Sequence, residues 1–495
     1  MGQWIDKSEF SPKEYARFNE RLADNLSAFR TLLDQQGFGL GVRSYGAELE
    51  LYIIDQSGQP LPLNRILQDE LQDPHLTLEL NRFNLEYNLP PVLSSDKPFS
   101  HLSRAMSAAI EKVSAAAEPY EARILPIGIL PTLEKRHVGM DAITDIPRYH
   151  VLANALRDRR GSDFHINISG QDALELSWED VTLEGANTSF QYHYRVNPDE
   201  FASAFNVAQL VTPLALALGA NSPIFFGQRL WHETRIALFK QSVDCRMDDP
   251  LSQRLPSRVF FGHGWIRKDI YELFAENVYL FEPLMPICSS ENNHQQVLQG
   301  GTPTLDELRL HQGSVWSWNR PIYDPAGDGH LRIEMRSLPA GPSVENMIAN
   351  AALMTGLIEG LKPHIDKILP GLPFRYAEHN FYRAAKHGLE ARLFWPEPSE
   401  GTLKELPVVD ILQSMLVLAE EGLHSISVAE SDINHYLGVI RDGLEARVNG
   451  AKWQLNMFEK LSQQCDKKQA LIELVDRYYH NSRNNQPVHE WSETI

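Results

Sequence analysis

Residues 45–54 constrain the fold of this chain more than any other stretch. Their sequence, YGAELELYII, is rich in aromatic and β-branched residues and ends at a turn signal, Asp-Gln-Ser-Gly. This pattern predicts a strand. Because side chains alternate along a strand, Glu48 and Glu50 share one face. The opposite face, which we predict to be buried, carries Ala47, Leu49, Leu51 and Ile53.

Two neighbouring carboxylates on one strand face repel each other. An isolated Glu-x-Glu pair is typical of the solvated face of an antiparallel sheet. The alternative is a face on which cations bind between the carboxylates. Carboxylates in similar settings elsewhere in the chain favour this second interpretation.

Residues 76–88 contain the next pair, Glu79 and Glu86. Seven positions is an odd spacing, so an unbroken strand would direct the two side chains to opposite faces. Both can reach one site only if the segment bends near residues 81–84. We therefore predict a turn there.

Two further stretches alternate as strands and place polar groups on one face. In residues 189–196, Gln191 and His193 lie on the same face of the strand. In residues 330–336, Arg332, Glu334 and Arg336 share one face. Taken alone, His193 is more typical of a structural histidine than of a metal ligand. The Arg-x-Glu-x-Arg pattern alone is more typical of a surface ion-pair ladder than of a functional site.

A curled sheet that brings these faces together would form a site of five carboxylates and one imidazole. The candidate metal ligands are Glu48, Glu50, Glu79, Glu86, His193 and Glu334. Hard oxygen ligands in such numbers suit magnesium or manganese and not zinc or copper. The chain has no P-loop and no glycine-rich fingerprint between a strand and a helix. A nucleotide would therefore be held by metal ions and arginines.

The composition is that of a globular protein with a large core: 495 residues, 43% hydrophobic and 22% charged. A net charge of -19 argues against nucleic acid or an anionic membrane as a partner. The three cysteines have no metal-ligand spacing, which indicates reduced thiols and a cytoplasmic protein. No signal-peptide pattern is visible. The most apolar run, residues 207–220, is too short to span a bilayer.

We see no internal repeat, low-complexity tract or linker. The sequence predicts one large catalytic domain over residues 1–400 and a helical C-terminal section, residues 401–495, packed on it. Residues 380–479 are predicted to be almost entirely amphipathic helix. Residues 241–330 read as irregular loops over a functional face. A homo-oligomer is compatible with this organisation.

The order of these motifs resembles the glutamine synthetase-like superfamily. It is most similar to glutamate–cysteine ligases of the second type and their carboxylate–amine ligase relatives. The resemblance extends over about residues 40–460 and is carried by Glu48-x-Glu50, Glu79…Glu86, Gln191-x-His193 and Arg332-x-Glu334-x-Arg336, with supporting motifs at residues 146–149, 220–223, 313–321 and 380–391.

The resemblance implies an α+β fold: a cup of antiparallel strands with helices on the outside and a helical C-terminal section. ATP and glutamate are expected to enter opposite ends of the cup, with Mg²⁺ or Mn²⁺ at the phosphates. The γ-carboxylate would be phosphorylated to an acyl phosphate, and an amine would displace phosphate. Cysteine is the leading acceptor, which makes glutathione biosynthesis the expected context.

The resemblance also implies roles for single residues. The six residues named above as candidate metal ligands keep that role. Arg336, with Arg332, is expected at the transferred phosphoryl group, and Arg235 and Gln191 are expected to bind substrate, since arginine holds carboxylates bidentately.

Alternatives to this function remain at the level of the sequence. They are ligation of another amine, a phosphotransferase without amide formation, and a binding protein on the same fold. Tyr192, Tyr194 and the segments 161–188 and 245–300 depart from the family pattern, so the identity of the amine stays open.

Overall fold

The computed structural model of the protein describes residues 10–397 and 402–494. Its strands are β1 (Ser44–Ile54), β2 (Leu76–Leu78), β3 (Asn84–Leu93), β4 (Arg123–Leu125), β5 (Phe164–Ser169), β6 (Ala173–Trp178), β7 (Phe190–Val196), β8 (Ile224–Phe225), β9 (Gln228–Arg229), β10 (Val259–Phe260), β11 (Trp316–Ser317), β12 (Asn319–Asp324), β13 (His330–Met335), β14 (Arg392–Glu397) and β15 (Thr402–Pro407).

The α-helices lie between and after these strands. They are α1 (Pro12–Leu33), α2 (Asn64–Leu71), α3 (Pro98–Ala117), α4 (Pro147–Arg160), α5 (Phe201–Gly219), α6 (Thr234–Ser242), α7 (Tyr271–Leu280), α8 (Asn293–Leu298), α9 (Asp306–Gln312), α10 (Val344–Leu361), α11 (Ile365–Ile368), α12 (Phe374–His387), α13 (Val408–Ser425), α14 (Glu430–Ala446), α15 (Gly450–Ser462) and α16 (Lys467–Arg483).

One seven-stranded sheet positions the candidate site. Its order is β12-β13-β7-β1-β3-β2, and β4 pairs with the end of β1. Every pairing in this sheet is antiparallel. The sheet curls into a half-barrel with helices around it, and the C-terminal region is mainly helical. The predicted α+β class and cup of antiparallel strands are therefore confirmed.

The central strand β1 has the two faces predicted for it. The residues of its apolar face, Ala47, Leu49, Leu51 and Ile53, are at most 2% exposed. Glu48 and Glu50 alternate with them and are half-buried on the other face. The alternation of strand side chains thus separates the core from the candidate site within a single strand.

The back of the sheet packs against helix α10. The Tyr192 hydroxyl lies 2.8 Å from Thr355 Oγ1, and the Tyr194 hydroxyl donates a hydrogen bond to the Glu359 carboxylate. Both tyrosines are fully buried. These two departures from the family pattern therefore face away from the carboxylates and do not shape the pocket on the other side.

The apolar run at residues 207–220 lies mostly within helix α5. By length and composition this helix could cross a membrane, and it is the one such helix among the described residues. However, 89% of its apolar window is buried inside the protein, which is typical of a core helix.

Two predictions about secondary structure were wrong. The hairpin of β14 and β15 interrupts the helix predicted over residues 380–479. Residues 241–330, predicted as loops, contain helices α7, α8 and α9 and three strands. The predicted boundary between residues 400 and 401 lies outside the described residues, and the two-part division stays a prediction.

Candidate active site

Four neighbouring strands and one turn supply the acidic face, which is the side of the sheet that carries the candidate metal ligands. In the antiparallel register, Glu50 lies opposite Glu86, and His193 lies opposite Glu334. Glu79 follows β2, which ends at Leu78, and β3 begins at Asn84. The chain thus turns where the odd spacing of Glu79 and Glu86 required it.

The structure brings all six candidate ligands into two groups. Glu48, His193 and Glu334, here the His193 group, have ligand atoms within 4.8 Å of one another. Glu50, Glu79 and Glu86, the Glu50 group, meet the same limit. Each group offers three donors of the kinds that bind divalent cations.

The His193 group fits a cation because its imidazole lies among carboxylates without a well-aligned hydrogen bond. His193 Nε2 lies 3.1 Å from Glu48 Oε1 and 3.8 Å from Glu334 Oε1. Nevertheless, neither ring nitrogen makes a hydrogen bond, although the residue is only 7% exposed. A buried polar atom without a partner is uncommon, and a metal ligand is one explanation of it.

Arginines already compensate part of the charge in this group. Arg320 donates to both carboxylate oxygens of Glu334, at 2.8 Å to Oε1 and at shorter range to Oε2. Burial opposes ionisation of Glu334, but Arg320, Arg336 and His193 outweigh it and hold the pKa of its carboxyl well below the ordinary range. Glu334 is therefore ionised at neutral pH.

The Glu50 group, in contrast, makes no ion pair with an arginine, lysine or histidine among the described residues. Glu50 accepts hydrogen bonds from the Ser189 amide at 2.7 Å and from Gln191 Nε2 at 2.9 Å. Burial, followed by the charges of Glu48 and Glu50, raises the pKa of Glu86 to about 8. Burial and the carboxylates around it raise the pKa of Glu79 well above its ordinary value. A cation bound here would remove this repulsion.

Gln191 and Arg336 connect the two groups. Arg336 Nη1 donates to Gln191 Oε1 at 2.5 Å and to Glu334 Oε1 at 3.0 Å, while Gln191 Nε2 donates to Glu50. Burial disfavours the charged guanidinium, but the surrounding carboxylates raise the pKa of Arg336 above its ordinary value. Its Nε and Nη2 make no hydrogen bond with the described residues and are free to bind a ligand.

The two remaining predicted arginines lie at the edges of the site. Arg332 Nη1 lies 3.1 Å from Asp324 Oδ2. Arg235 is 2% exposed and donates from Nη1 to Glu233 Oε1 and to the Ser337 carbonyl, both at 3.1 Å. Burial raises the pKa of Glu50, and the charge of Arg235 is the strongest influence that lowers it. Arg235 therefore lies within electrostatic range of the Glu50 group.

A cavity of about 220 Å³ opens beside the His193 group. All three residues of the group line it, together with four arginines, Arg148, Arg309, Arg320 and Arg332. Arg148 makes no ion pair or hydrogen bond with the described residues. The cavity thus combines candidate metal ligands with positive side chains, which is what a polyphosphate requires.

Sequence reasoning missed Arg320, Arg148 and Glu184. Arg320 lies opposite Glu334 in the β12–β13 hairpin, and the turn signal between these strands could have revealed that register. Glu184 follows the hairpin of β5 and β6. Burial and the charge of Glu50 raise its pKa to about 8. Arg148 lies in the motif at residues 146–149, but that motif does not specify that its side chain reaches the site. No local pattern marks Glu184, because tertiary packing alone brings it there.

Comparisons with known proteins bear on the family and the fold of the chain. Residues 44–261 match the model of glutamate–cysteine ligase family 2. The predicted resemblance to this family is confirmed. The match covers β1 to β10 and includes every candidate ligand except Glu334. It supports the class of reaction, ATP-dependent joining of a carboxylate and an amine. No curated protein sequence matches the chain.

One solved ligase structure, with a TM-score above 0.5, indicates a related fold for this chain. Glutamate–cysteine ligase from Francisella tularensis, in complex with AMP, is 12% identical with a TM-score of 0.51, over 90% of each chain. A bifunctional glutathione synthetase from Pasteurella multocida is 12% identical with a TM-score of 0.45, over 95% of this chain and 55% of that one. The Pup ligase PafA is 10% identical with a TM-score of 0.39, and the match covers 88% of this chain and 73% of that one.

The charge of the Glu50 group predicts a pH-dependent stability. In excess EDTA, the free energy of unfolding should fall as pH rises from about 5 to about 8, because the folded state raises the pKa of Glu86 from 4.5 to about 8. Glu86→Gln should flatten this decline. Near pH 8 it should stabilise the metal-free protein by on the order of 1 to 3 kcal/mol. Urea unfolding of the wild type and the variant at several pH values measures the pH dependence and the stabilisation. A Gln variant with the same pH slope as wild type would contradict the assignment of the charge.

Proposed function

We propose that the protein joins the γ-carboxylate of glutamate, or of a similar amino acid, to an amine at the cost of ATP. Cysteine is the leading acceptor, which would make the product γ-glutamylcysteine. ATP first transfers its γ-phosphoryl group to the carboxylate, giving an acyl phosphate and ADP. The amine nitrogen then attacks the acyl carbon, phosphate leaves, and the nitrogen loses a proton to give the amide.

One observation carries this proposal: Arg336 and Gln191 connect two groups of candidate metal ligands on a single sheet face. A carboxylate is a poor electrophile, so the reaction needs a site where phosphoryl transfer and acyl transfer occur side by side. Two adjacent groups of candidate metal ligands, with an arginine between them, would meet that need. The match to glutamate–cysteine ligase family 2 supports the same reaction class.

The two groups would hold Mg²⁺ or Mn²⁺ through Glu48, His193 and Glu334 and through Glu50, Glu79 and Glu86. When bound, such ions supply positive charge that neutralises phosphate oxygens. The chain itself contributes Arg336, whose free nitrogens would stabilise the negative charge on the transferred phosphoryl group. Arg148 and Arg332 in the cavity of about 220 Å³ would bind the other phosphates.

Arg235 and Gln191 remain the proposed substrate-binding residues. Arg235 already donates to Glu233 through Nη1, so it would bind a substrate carboxylate through its other terminal nitrogen. Gln191 would orient Arg336 and Glu50 at the same time. Cytoplasmic localisation and the oligomeric state stay predictions.

The test is ADP release from wild-type protein with glutamate, with and without each of a panel of amines, followed by mass spectrometry of the products. We expect ADP release to require glutamate and Mg²⁺ and to rise with one preferred amine, and an amide of that amine to accumulate in equal amount. Matched reactions with aspartate in place of glutamate report on the acid substrate.

Two results would contradict the proposal. A stable phosphorylated product without any amide would favour the phosphotransferase alternative. ATP and glutamate binding without turnover, across the whole panel, would favour the binding-protein alternative.

A further inference from the structure

A second cavity, of about 1140 Å³, lies between helices α1 and α7 and the segment of residues 245–258. It shares no lining residue with the cavity beside the His193 group. Small-molecule sites in proteins typically have volumes of about 300 to 1000 Å³, so this cavity has room for a ligand. The proposed function assigns it no role.

Several large apolar side chains of the lining are exposed to solvent. Met247, Leu255, Tyr279 and Leu280 line the cavity and are between 44% and 81% exposed. Exposed apolar side chains that lie together, and not singly, mark a binding site or an interface. The cavity therefore offers an apolar surface that nothing in the described part of the chain covers.

Arg258 adds a buried positive charge to the same cavity. It lines the cavity and is only 3% exposed. It donates from Nη1 to the Ser314 carbonyl at 3.0 Å and from Nη2 to the Glu282 carbonyl, and its guanidinium carbon lies 5.5 Å from the centre of the Phe281 ring. These partners are all neutral groups. Arg258 makes no ion pair with a carboxylate among the described residues.

A buried charge without an opposite charge is costly, so this arginine indicates a site for an anion. Burial lowers the pKa of the Arg258 guanidinium, and the neighbouring Cys245 thiol opposes this effect only in part. A guanidinium has five N–H donors, and the two carbonyls accept from two of them. Donors therefore remain for a ligand.

The charge of the lining agrees with an anionic ligand. Among the described residues that line the cavity, four are arginines and Glu282 alone carries a carboxylate. This excess of positive charge contrasts with the net charge of -19 of the whole chain. The arginines other than Arg258 each have a carboxylate partner: Arg30 with Asp269, Arg159 with Glu282 and Arg246 with Asp244.

We propose that this cavity binds an anionic small molecule with a large apolar group, and that Arg258 holds its carboxylate or phosphate. The planar guanidinium can contact two oxygens of such a group at once. A neutral apolar ligand would leave the arginine without a counter-charge, and an inorganic anion would leave Leu255 and Tyr279 exposed. The assignment does not depend on the proposed ligase reaction, because the two cavities share no residue.

The test uses anilinonaphthalene sulfonate, an anionic aromatic probe whose fluorescence increases in apolar sites. Decanoate, decyl phosphate and decanol are then added to displace it from the wild-type protein. We expect saturable binding of the probe and displacement by one or both anions. Decanol, which has the same chain without the charge, should bind on the order of 10-fold more weakly. The comparison of decanoate with decyl phosphate identifies the preferred acidic group.

Arg258→Gln should raise the Kd for the preferred anion on the order of 10-fold and leave that for decanol unchanged. Arg258→Lys should restore part of the affinity. Leu255→Asp places a negative charge in the lining and should weaken binding of the anion more than that of decanol. Leu298→Asp is the matched control, because Leu298 is also an exposed leucine, at 69%, and lies outside this cavity.

Equal affinities of the wild type for decanol and the anions would overturn the assignment. An unchanged Kd for the anion in Arg258→Gln would do the same. If Arg258→Gln did not fold, Leu255→Asp and Leu298→Asp would decide, and equal effects of these two would count against the site. A wild-type dimer that binds neither anion, and that Leu255→Asp dissociates, would show that a second copy covers this surface and would also overturn the assignment.

Discussion

Glu48→Gln should lower glutamate-dependent ATP turnover by more than about 100-fold. Loss of a side chain that only hydrogen-bonds to a metal ligand already costs about 10- to 100-fold in metal affinity or activity. Glu48 lies within the His193 group itself and lines the cavity, so its loss should cost more. Steady-state ADP release at saturating Mg²⁺ measures the effect.

Metal binding by Glu48→Gln should weaken in parallel, as measured by titration with Mn²⁺. We do not expect the substitution to stabilise the protein: burial disfavours the ionised Glu48, but His193 and Arg336 outweigh it and lower the pKa of the carboxyl. Glu111→Gln is the control, because Glu111 is exposed on α3 and makes no ion pair within the described part of the chain. Full activity of the wild-type protein in excess EDTA would refute the role of a metal.

Arg336→Lys should lower kcat on the order of 100-fold and change the KM for ATP much less. Lysine keeps the charge but loses the planar guanidinium that can contact Gln191, Glu334 and a phosphoryl group at once. The lost interaction forms mainly in the transition state, so the effect falls on kcat. Stopped-time assays of ADP and amide over a range of ATP concentrations separate the two constants.

The ion pair between Arg336 and Glu334 provides the competing explanation. If Arg336 served only to pair with Glu334, lysine should largely preserve kcat, and the loss should appear in the midpoint of thermal unfolding. Arg441→Lys, an exposed arginine on α14, controls for the substitution itself. A near-normal kcat in Arg336→Lys would remove the residue from the catalytic machinery.

Strand periodicity predicted most of the acidic face from the sequence. It assigned Glu48 and Glu50 to one face of β1 and required a turn between Glu79 and Glu86, and the structure has both features. These predictions succeeded because a strand has a short, fixed repeat, so a local pattern determines which side chains share a face.

The parts of the site that depend on packing between distant segments were not predictable in this way. Arg148 reaches the cavity from helix α4. The segment around Glu184 is held by Tyr52, which donates to the Ala186 carbonyl, and by Asn81, which donates to the Thr182 carbonyl. The β14–β15 hairpin was missed for a different reason. Residues 392–397 carry Phe and Trp, which favour a strand, but their three apolar residues are consecutive and they lie between strong helical patterns.

Transfer of a labelled oxygen tests the central claim most directly. Glutamate whose γ-carboxylate carries heavy oxygen is incubated with ATP, Mg²⁺ and the preferred amine, and the phosphate released is analysed by mass spectrometry. Activation as an acyl phosphate predicts that one heavy oxygen appears in phosphate for each amide formed, because the carboxylate oxygen leaves with the phosphoryl group. Amide formation with unlabelled phosphate would contradict this account.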